Sequence, residues 1–140
     1  MKHMPQVVAL MTPFPYSIDI DAPLAAATEL MREHRFRHLP VVDSGRLCGV
    51  LAERDVRSAL ASGAAGKRVR DAFREDAYTV EAHTPLDQVA ATMADRHIGS
   101  AIVTKAGKLV GVFTTTDVCL ALARVLRERF PPPAPGTDAA

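Results

Sequence analysis

The sequence predicts a mixed α/β (α+β) fold of two β-α-β-β-α repeats packed sheet to sheet, and three observations predict it. A shift of 62 positions lays the chain on itself without a gap: Pro23-Leu24 falls on Pro85-Leu86, Met31 on Met93, Gly45-Arg46-Leu47 on Gly107-Lys108-Leu109, and Asp55-Val56 on Asp117-Val118. Within each copy the apolar spacing alternates between helical and strand-like in the same order. A unit of about sixty residues buries only about 60% of the surface its unfolded chain exposes, so each copy needs the other's apolar face.

Each copy opens on a short extended piece, residues 16–18 or 78–80, and reaches a turn ending in Ala22-Pro23 or Thr84-Pro85. Proline suits the first helical position, where its fixed φ is already helical and its missing N–H would have no partner. In the helix that follows, Leu24, Ala27 and Met31, or Leu86, Val89, Ala90 and Met93, recur on one face. An apolar strand comes next, residues 39–42 or 101–103, then a polar turn with Gly45 or Gly107, then a second strand, residues 47–51 or 109–113. The turn is short enough for a hairpin. A second helix begins near Asp55 or Asp117 and carries Val56, Ala59 and Leu60, or Val118, Ala121, Leu122 and Val125. The expected boundaries are 7–62 for the first repeat, 63–68 for a linker and 69–130 for the second repeat. Its last helix runs to about Phe130, because Pro131-Pro132-Pro133 cannot continue it, and residues 131–140 are expected to form a disordered tail.

Composition narrows the function classes. Seventeen Lys and Arg against 16 Asp and Glu leave a net charge of +1, without the excess with which nucleic-acid binders displace phosphate counterions. The longest apolar runs, such as residues 7–11 and 118–123, fall far short of the roughly 20 residues that span a bilayer, and no signal-peptide pattern opens the chain. The expectation is a cytoplasmic protein with no nucleic-acid or membrane partner. Cys48 and Cys119 each sit in an apolar stretch without C-x-x-C spacing, so both read as small core residues and no metal site is expected. No G-x-S-x-G elbow, H-E-x-x-H, Walker loop or glycine-rich dinucleotide turn occurs, so no catalytic residues and no enzyme are expected.

Two ordered sets of residues carry a resemblance. In the first repeat they are Arg37-His38-Leu39-Pro40-Val41-Val42-Asp43 and Gly45-Arg46-Leu47-Cys48-Gly49-Val50-Leu51-Ala52-Glu53-Arg54-Asp55; in the second, Ile98-Gly99-Ser100-Ala101-Ile102-Val103 and Gly107-Lys108-Leu109-Val110-Gly111-Val112-Phe113-Thr114-Thr115-Thr116-Asp117. Together they resemble the cystathionine-beta-synthase (CBS) domain in its tandem form, the Bateman module, over about residues 7 to 126. The resemblance implies pseudo-twofold symmetry and two clefts between the repeats that often hold adenosine compounds such as AMP, ADP, ATP or S-adenosylmethionine. It further implies a regulatory ligand rather than a required cofactor, and homodimers formed through the helices. Because the repeats take up nearly the whole chain, a stand-alone module signalling in trans to an effector protein is expected.

The segment Thr114-Thr115-Thr116-Asp117 lies where a strand hands over to a helix. A helix N-terminus presents free N–H groups that suit a phosphate, and a carboxylate can accept hydrogen bonds from both hydroxyls of a ribose. Gly111, Thr114 and Asp117 match the family's G-h-x-T-x-x-D signature, which implies Thr114 toward the phosphate and Asp117 on the ribose. The same Thr-x-x-Asp spacing is that of a capping box serving only the helix, and both readings stand. Repeat 1 keeps Asp55 but has Ala52 in place of the Thr; losing a neutral hydrogen bond costs on the order of 1 kcal/mol, so that site should be weaker or empty. Thr79 and Val80 align with family positions that meet the adenine and are expected in the main site, with Ser17 and Ile18 in the weaker one. Arg37 and His38 are expected to reach from repeat 1 toward a phosphate held by repeat 2, the first with a planar fork, the second with a titratable ring. Their counterparts Gly99-Ser100 carry no charge. The rival reading is a non-binding structural or dimerisation module, suggested by the stripe Val118, Ala121, Leu122, Val125 and Leu126.

Overall fold

The computed structural model describes residues 3–13, 16–63, 67–133 and 136. The centre of the expected linker and most of the expected tail lie outside these residues. In chain order the elements are α1 (Val7–Leu10), β1 (Thr12–Pro13), β2 (Ile18–Asp19), α2 (Leu24–His34), β3 (His38–Asp43), β4 (Arg46–Ala52), α3 (Glu53–Ala61), a 3₁₀ turn (Val69–Asp71), β5 (Thr79–Glu81), α4 (Leu86–Arg96), β6 (Ser100–Lys105), β7 (Lys108–Thr114) and α5 (Thr115–Arg129). The β-α-β-β-α order predicted for each repeat is present twice. No described helix is long and apolar enough to cross a membrane.

Local chemistry explains the matching turns. Each hairpin closes through two residues with positive φ, Ser44-Gly45 and Ala106-Gly107, the conformation that a two-residue connection between twisted strands requires. Pro23 and Pro85 sit one residue earlier than expected: their ψ angles of 144° and 137° make them the extended residue before the helix, and Leu24 and Leu86 begin it. Helices α2 and α4 both stop on a left-handed residue, Arg35 (φ 58°) and His97 (φ 53°). Each stop is closed by an N–H from the next residue to a carbonyl five back, Phe36 to Met31 and Ile98 to Met93, both 3.0 Å. That stop turns residues 35–38 out of the helix and toward the other repeat.

The repeats exchange their lead-ins. Short strand β1 pairs antiparallel with β7, giving the sheet order β1-β7-β6-β5, while the other sheet is β2-β3-β4. Val7 N–H donates to Thr84 O (2.9 Å) and Val8 N–H to Ala82 O (3.1 Å); 62 residues on, Val69 N–H donates to Ala22 O (2.9 Å) and Arg70 N–H to Ile20 O (2.8 Å). Val7 is thereby buried in the core of repeat 2 with Val80, Val89, Met93 and Phe113, and Val69 in the core of repeat 1 with Leu24, Leu39, Leu51 and Val56. The close approach of each lead-in needs a glycine beneath it. A Cβ on Gly49 would collide with the carbonyl of Arg74, and one on Gly111 with Met11 and the Thr12 carbonyl. A third cluster joins the two sheets across the pseudo-symmetric interface: Val50 and Leu47 from β4 against Ile102, Val112 and Leu109 from β6 and β7.

The cysteines divide. Cys48 is half-buried against the repeat 1 core, its thiol 3.3 Å from Val41 O. Cys119, expected in the core, is exposed. Its helix, α5, buries no residue completely, because no element among the described residues covers its outer face.

Candidate functional site

The strand-to-helix corner of repeat 2 faces the helix-to-strand corner of repeat 1 across a cleft of about 580 Å³. Thr114, Thr115, Thr116, Asp117 and Cys119 line one side; His34, Arg35, Phe36, Arg37 and His38 line the other, with Thr12, Tyr16, Gly99 and Val112 between. Within each repeat the strand-to-helix corner is tied to the helix-to-strand corner of the same repeat by a backbone hydrogen bond of matching geometry, Glu53 N–H to Arg37 O at 2.8 Å in the first and Thr115 N–H to Gly99 O at 3.1 Å in the second. Carbonyls just ahead of β3 and β6 thus hold the first N–H groups of α3 and α5.

At α5 the two readings of Thr-x-x-Asp coexist on one carboxylate. Asp117 Oδ2 accepts the Thr114 N–H at 2.9 Å and lies 3.2 Å from the Thr114 hydroxyl, the geometry of a cap. Among the described residues its Oδ1 meets only the Thr12 hydroxyl, at a long 3.4 Å. One oxygen serves the helix and the other retains accepting capacity at the cleft. Thr115 and Thr116 are exposed beside it on the first turn of α5, where Gly99 O holds the Thr115 N–H and the Thr114 side chain the Asp117 N–H, and the positive end of the helix still favours an anion.

The facing wall is cationic and aromatic. Arg37 is exposed, and His38 is half-buried with its ring against Gly99, where a Cβ would come within 3.1 Å of the imidazole. The missing side chain at Gly99 therefore makes room for His38. The Tyr16 ring stacks on His34 at 4.1 Å between centroids and lies 5.6 Å from Phe36. Burial holds His38 below its usual value of 6.5, reinforced by Arg54 and Arg37 and opposed only in part by Asp55 and Glu53. The folded chain then binds fewer protons than the unfolded chain below about pH 6.5, so stability present above that pH is lost as pH falls toward the lowered value. His38→Gln should flatten this part of the decline in melting temperature between about pH 7.5 and 5. Parallel profiles for the two proteins would show that His38 does not contribute.

Four expected residues, Thr114, Asp117, Arg37 and His38, come together in this cleft. Thr79 and Val80 do not line it: Thr79 is exposed at the start of β5, and Val80 is buried in the repeat 2 core. The reason is strand register. β2 runs parallel to β3 with Ile18 beside Val41, so residue 16 lies toward the His38 end, on the Asp117 cleft. β5 likewise runs beside β6, with Ile102 N–H donating to Tyr78 O at 2.8 Å, so residues 78–79 lie toward Ser100. The extended piece nearest Asp117 therefore belongs to repeat 1. Ile18 itself is buried in the repeat 1 core, and exposed Ser17 adjoins the lining residue Tyr16. Asp55 stands apart from this cleft, gripped by Arg74. Sequence reasoning misses Thr12, Tyr16 and Arg74, although the same 62-residue offset places Arg74 on Thr12.

Two like α+β repeats, facing each other across a cleft that takes a carboxylate corner from one and a basic corner from the other, define a class of paired-repeat modules. The chain belongs to the CBS domain family, whose profile matches residues 7–62 and 69–124. It is similar to a CBS domain-containing protein of Dictyostelium discoideum, 28% identical over 140 residues, covering 90% of this chain and 96% of the relative. Among solved structures it is similar to a Vibrio cholerae protein assigned to acetoin utilization (AcuB), with a TM-score of 0.80 and 27% identity over 94% of this chain and 100% of the other. It is also similar to Arabidopsis thaliana CBSX2 solved in complex with AMP, with a TM-score of 0.76 and 27% identity over 87% and 98%. Other relatives include longer enzymes, such as an L-aspartate semialdehyde sulfurtransferase and an inosine-5'-monophosphate dehydrogenase, of which the matched stretch is 18% and 22%.

Proposed function

We propose that the chain is a regulatory module without catalysis of its own, which holds an adenosine-containing ligand in the inter-repeat cleft and signals to a partner protein in trans. Asp117 accepts the ribose hydroxyls through its free oxygen, the first turn of α5 and Thr114 receive the phosphate with Arg37 and His38, and Tyr16 borders the base. The single observation that carries this reading is the convergence of Thr114 and Asp117 with Arg37 and His38 in one 580 Å³ cleft. The AMP held by the similar CBSX2 supports the ligand class.

A second reading, a non-binding dimerisation module, is favoured by α5, which exposes Leu122 (55%), Val125 (44%) and Leu126 (47%) ahead of an exposed Phe130. A second copy of the chain would cover that stripe, so a homodimer is compatible with both readings. Calorimetric titration of nucleotide-stripped protein with AMP, ADP, ATP and S-adenosylmethionine separates them. At least one compound is expected to bind saturably, adding roughly 2.7 kcal/mol of stability at 100 times its Kd. No heat and no thermal shift with any of the four would leave only the dimerisation module.

A further inference from the structure

The half-site of repeat 1 differs from that of repeat 2 at a residue outside the signature. Both oxygens of Asp55 are taken by one guanidinium: Arg74 Nε donates to Oδ2 at 3.0 Å and Nη2 to Oδ1 at 3.2 Å. This two-point, charge-assisted arrangement is the strong form of the contact, and it lies on a carboxylate whose side chain is only 18% exposed. The fork is also anchored at its root. Arg74 exchanges backbone hydrogen bonds with Val50 in both directions (3.0 and 2.9 Å), on the strand that delivers Asp55 to its helix. In repeat 2 the corresponding position is Thr12, paired with Val112 in the same way, and it offers Asp117 only a hydroxyl at 3.4 to 3.5 Å. One backbone position thus sets a cation against one carboxylate and a small neutral group against the other.

We infer that Arg74 closes the repeat 1 half-site: its guanidinium engages both oxygens of Asp55 and leaves neither for a ribose, where Asp117 keeps one, so the chain holds one nucleoside for its two repeats. The inference rests on the reading that Asp117 holds a ribose. A diol brings two hydroxyl donors but no charge, whereas the guanidinium brings two donors in a fixed fork together with a full opposite charge, so the ligand loses the exchange. Ala52 removes a hydroxyl from this half-site, but Arg74 is what fills it.

The test is AMP calorimetry on four proteins: wild type, Asp117→Ala, Ala52→Thr/Arg74→Thr, and the double variant carrying Asp117→Ala as well. The double substitution gives repeat 1 the residues that repeat 2 has at these positions. Stoichiometry should rise from one AMP per chain in wild type to two in the double variant, and the triple variant should keep one, with a Kd about 10- to 100-fold weaker than wild type because Gly99-Ser100 stand where the main cleft has Arg37-His38. A double variant that still binds one AMP, or a triple variant that binds none, overturns the inference. AMP binding by the triple variant but not by wild type supports the closure by Arg74 while refuting the ligand's placement on Asp117. If the double variant shows no cooperative melt, Arg74→Thr alone is titrated: a second, weaker event is expected, and its absence overturns the inference.

Discussion

Asp117→Ala is expected to weaken adenosine-ligand binding by 100-fold or more. Two hydrogen bonds from ribose hydroxyls to a carboxylate are worth about 1.5–3 kcal/mol each, and losing both amounts to at least two powers of ten. The side chain also accepts the Thr114 N–H at 2.9 Å, so the variant loses part of the helix cap. That second loss is smaller: about 1 kcal/mol, or roughly 3 °C in melting temperature for a chain of this size. The two effects separate in paired measurements of affinity and melting. Asp117→Asn keeps the shape and an accepting oxygen while removing the charge, and should fall in between on affinity. A loss of stability without a tenfold loss of affinity would reduce Asp117 to a cap. Because Asp55 is already engaged by Arg74, Asp55→Ala should leave the affinity of the main cleft unchanged.

What the chain discloses before folding is what its two copies repeat. The hairpins are legible because Gly45 and Gly107 mark turns that need positive φ, and helices α2 and α4 because their apolar residues recur at 3.6-residue spacing. The convergence of Arg37 and His38 on Thr114 and Asp117 is legible too, but through resemblance rather than periodicity. Three features are not. The exchange of lead-ins rests on hydrogen bonds between residues far apart in the chain, such as Val7 to Thr84, which leave no local pattern. The placement of Tyr16 rather than Thr79 at the Asp117 cleft follows from parallel strand register, which a single strand's sequence does not encode. The Arg74 fork is hidden because its counterpart Thr12 is a different residue type, so the offset brings no match to notice. Cys119 misleads for a separate reason: apolar neighbours on α5 imply burial only when the chain itself covers them.

Phe113→Ala should cost about 3–5 kcal/mol of folding stability. Phe113 is fully buried, the largest side chain so placed among the described residues, and it packs in the core that includes Val7, Val80, Val89 and Met93. A total stability of about 5–15 kcal/mol is usual, so the variant should lose about a fifth of it or more, seen as a fall of about 10 °C or more in melting temperature. The form of the transition tells more than its midpoint. Val7 reaches the repeat 2 core from the segment ahead of repeat 1, Val69 reaches the repeat 1 core from the segment ahead of repeat 2, and Val50, Ile102 and Val112 join the sheets. Neither half can lose its core without releasing a strand or turn that belongs to the other. Urea unfolding followed by circular dichroism should therefore stay a single transition in Phe113→Ala with an unchanged slope, and Leu51→Ala, at the equivalent position of repeat 1 and also fully buried, should shift the same transition. Two transitions, one unmoved by Phe113→Ala, would mean that the exchanged lead-ins do not couple the repeats. A ligand signal arriving at the cleft would then have no packed route from one half to the other.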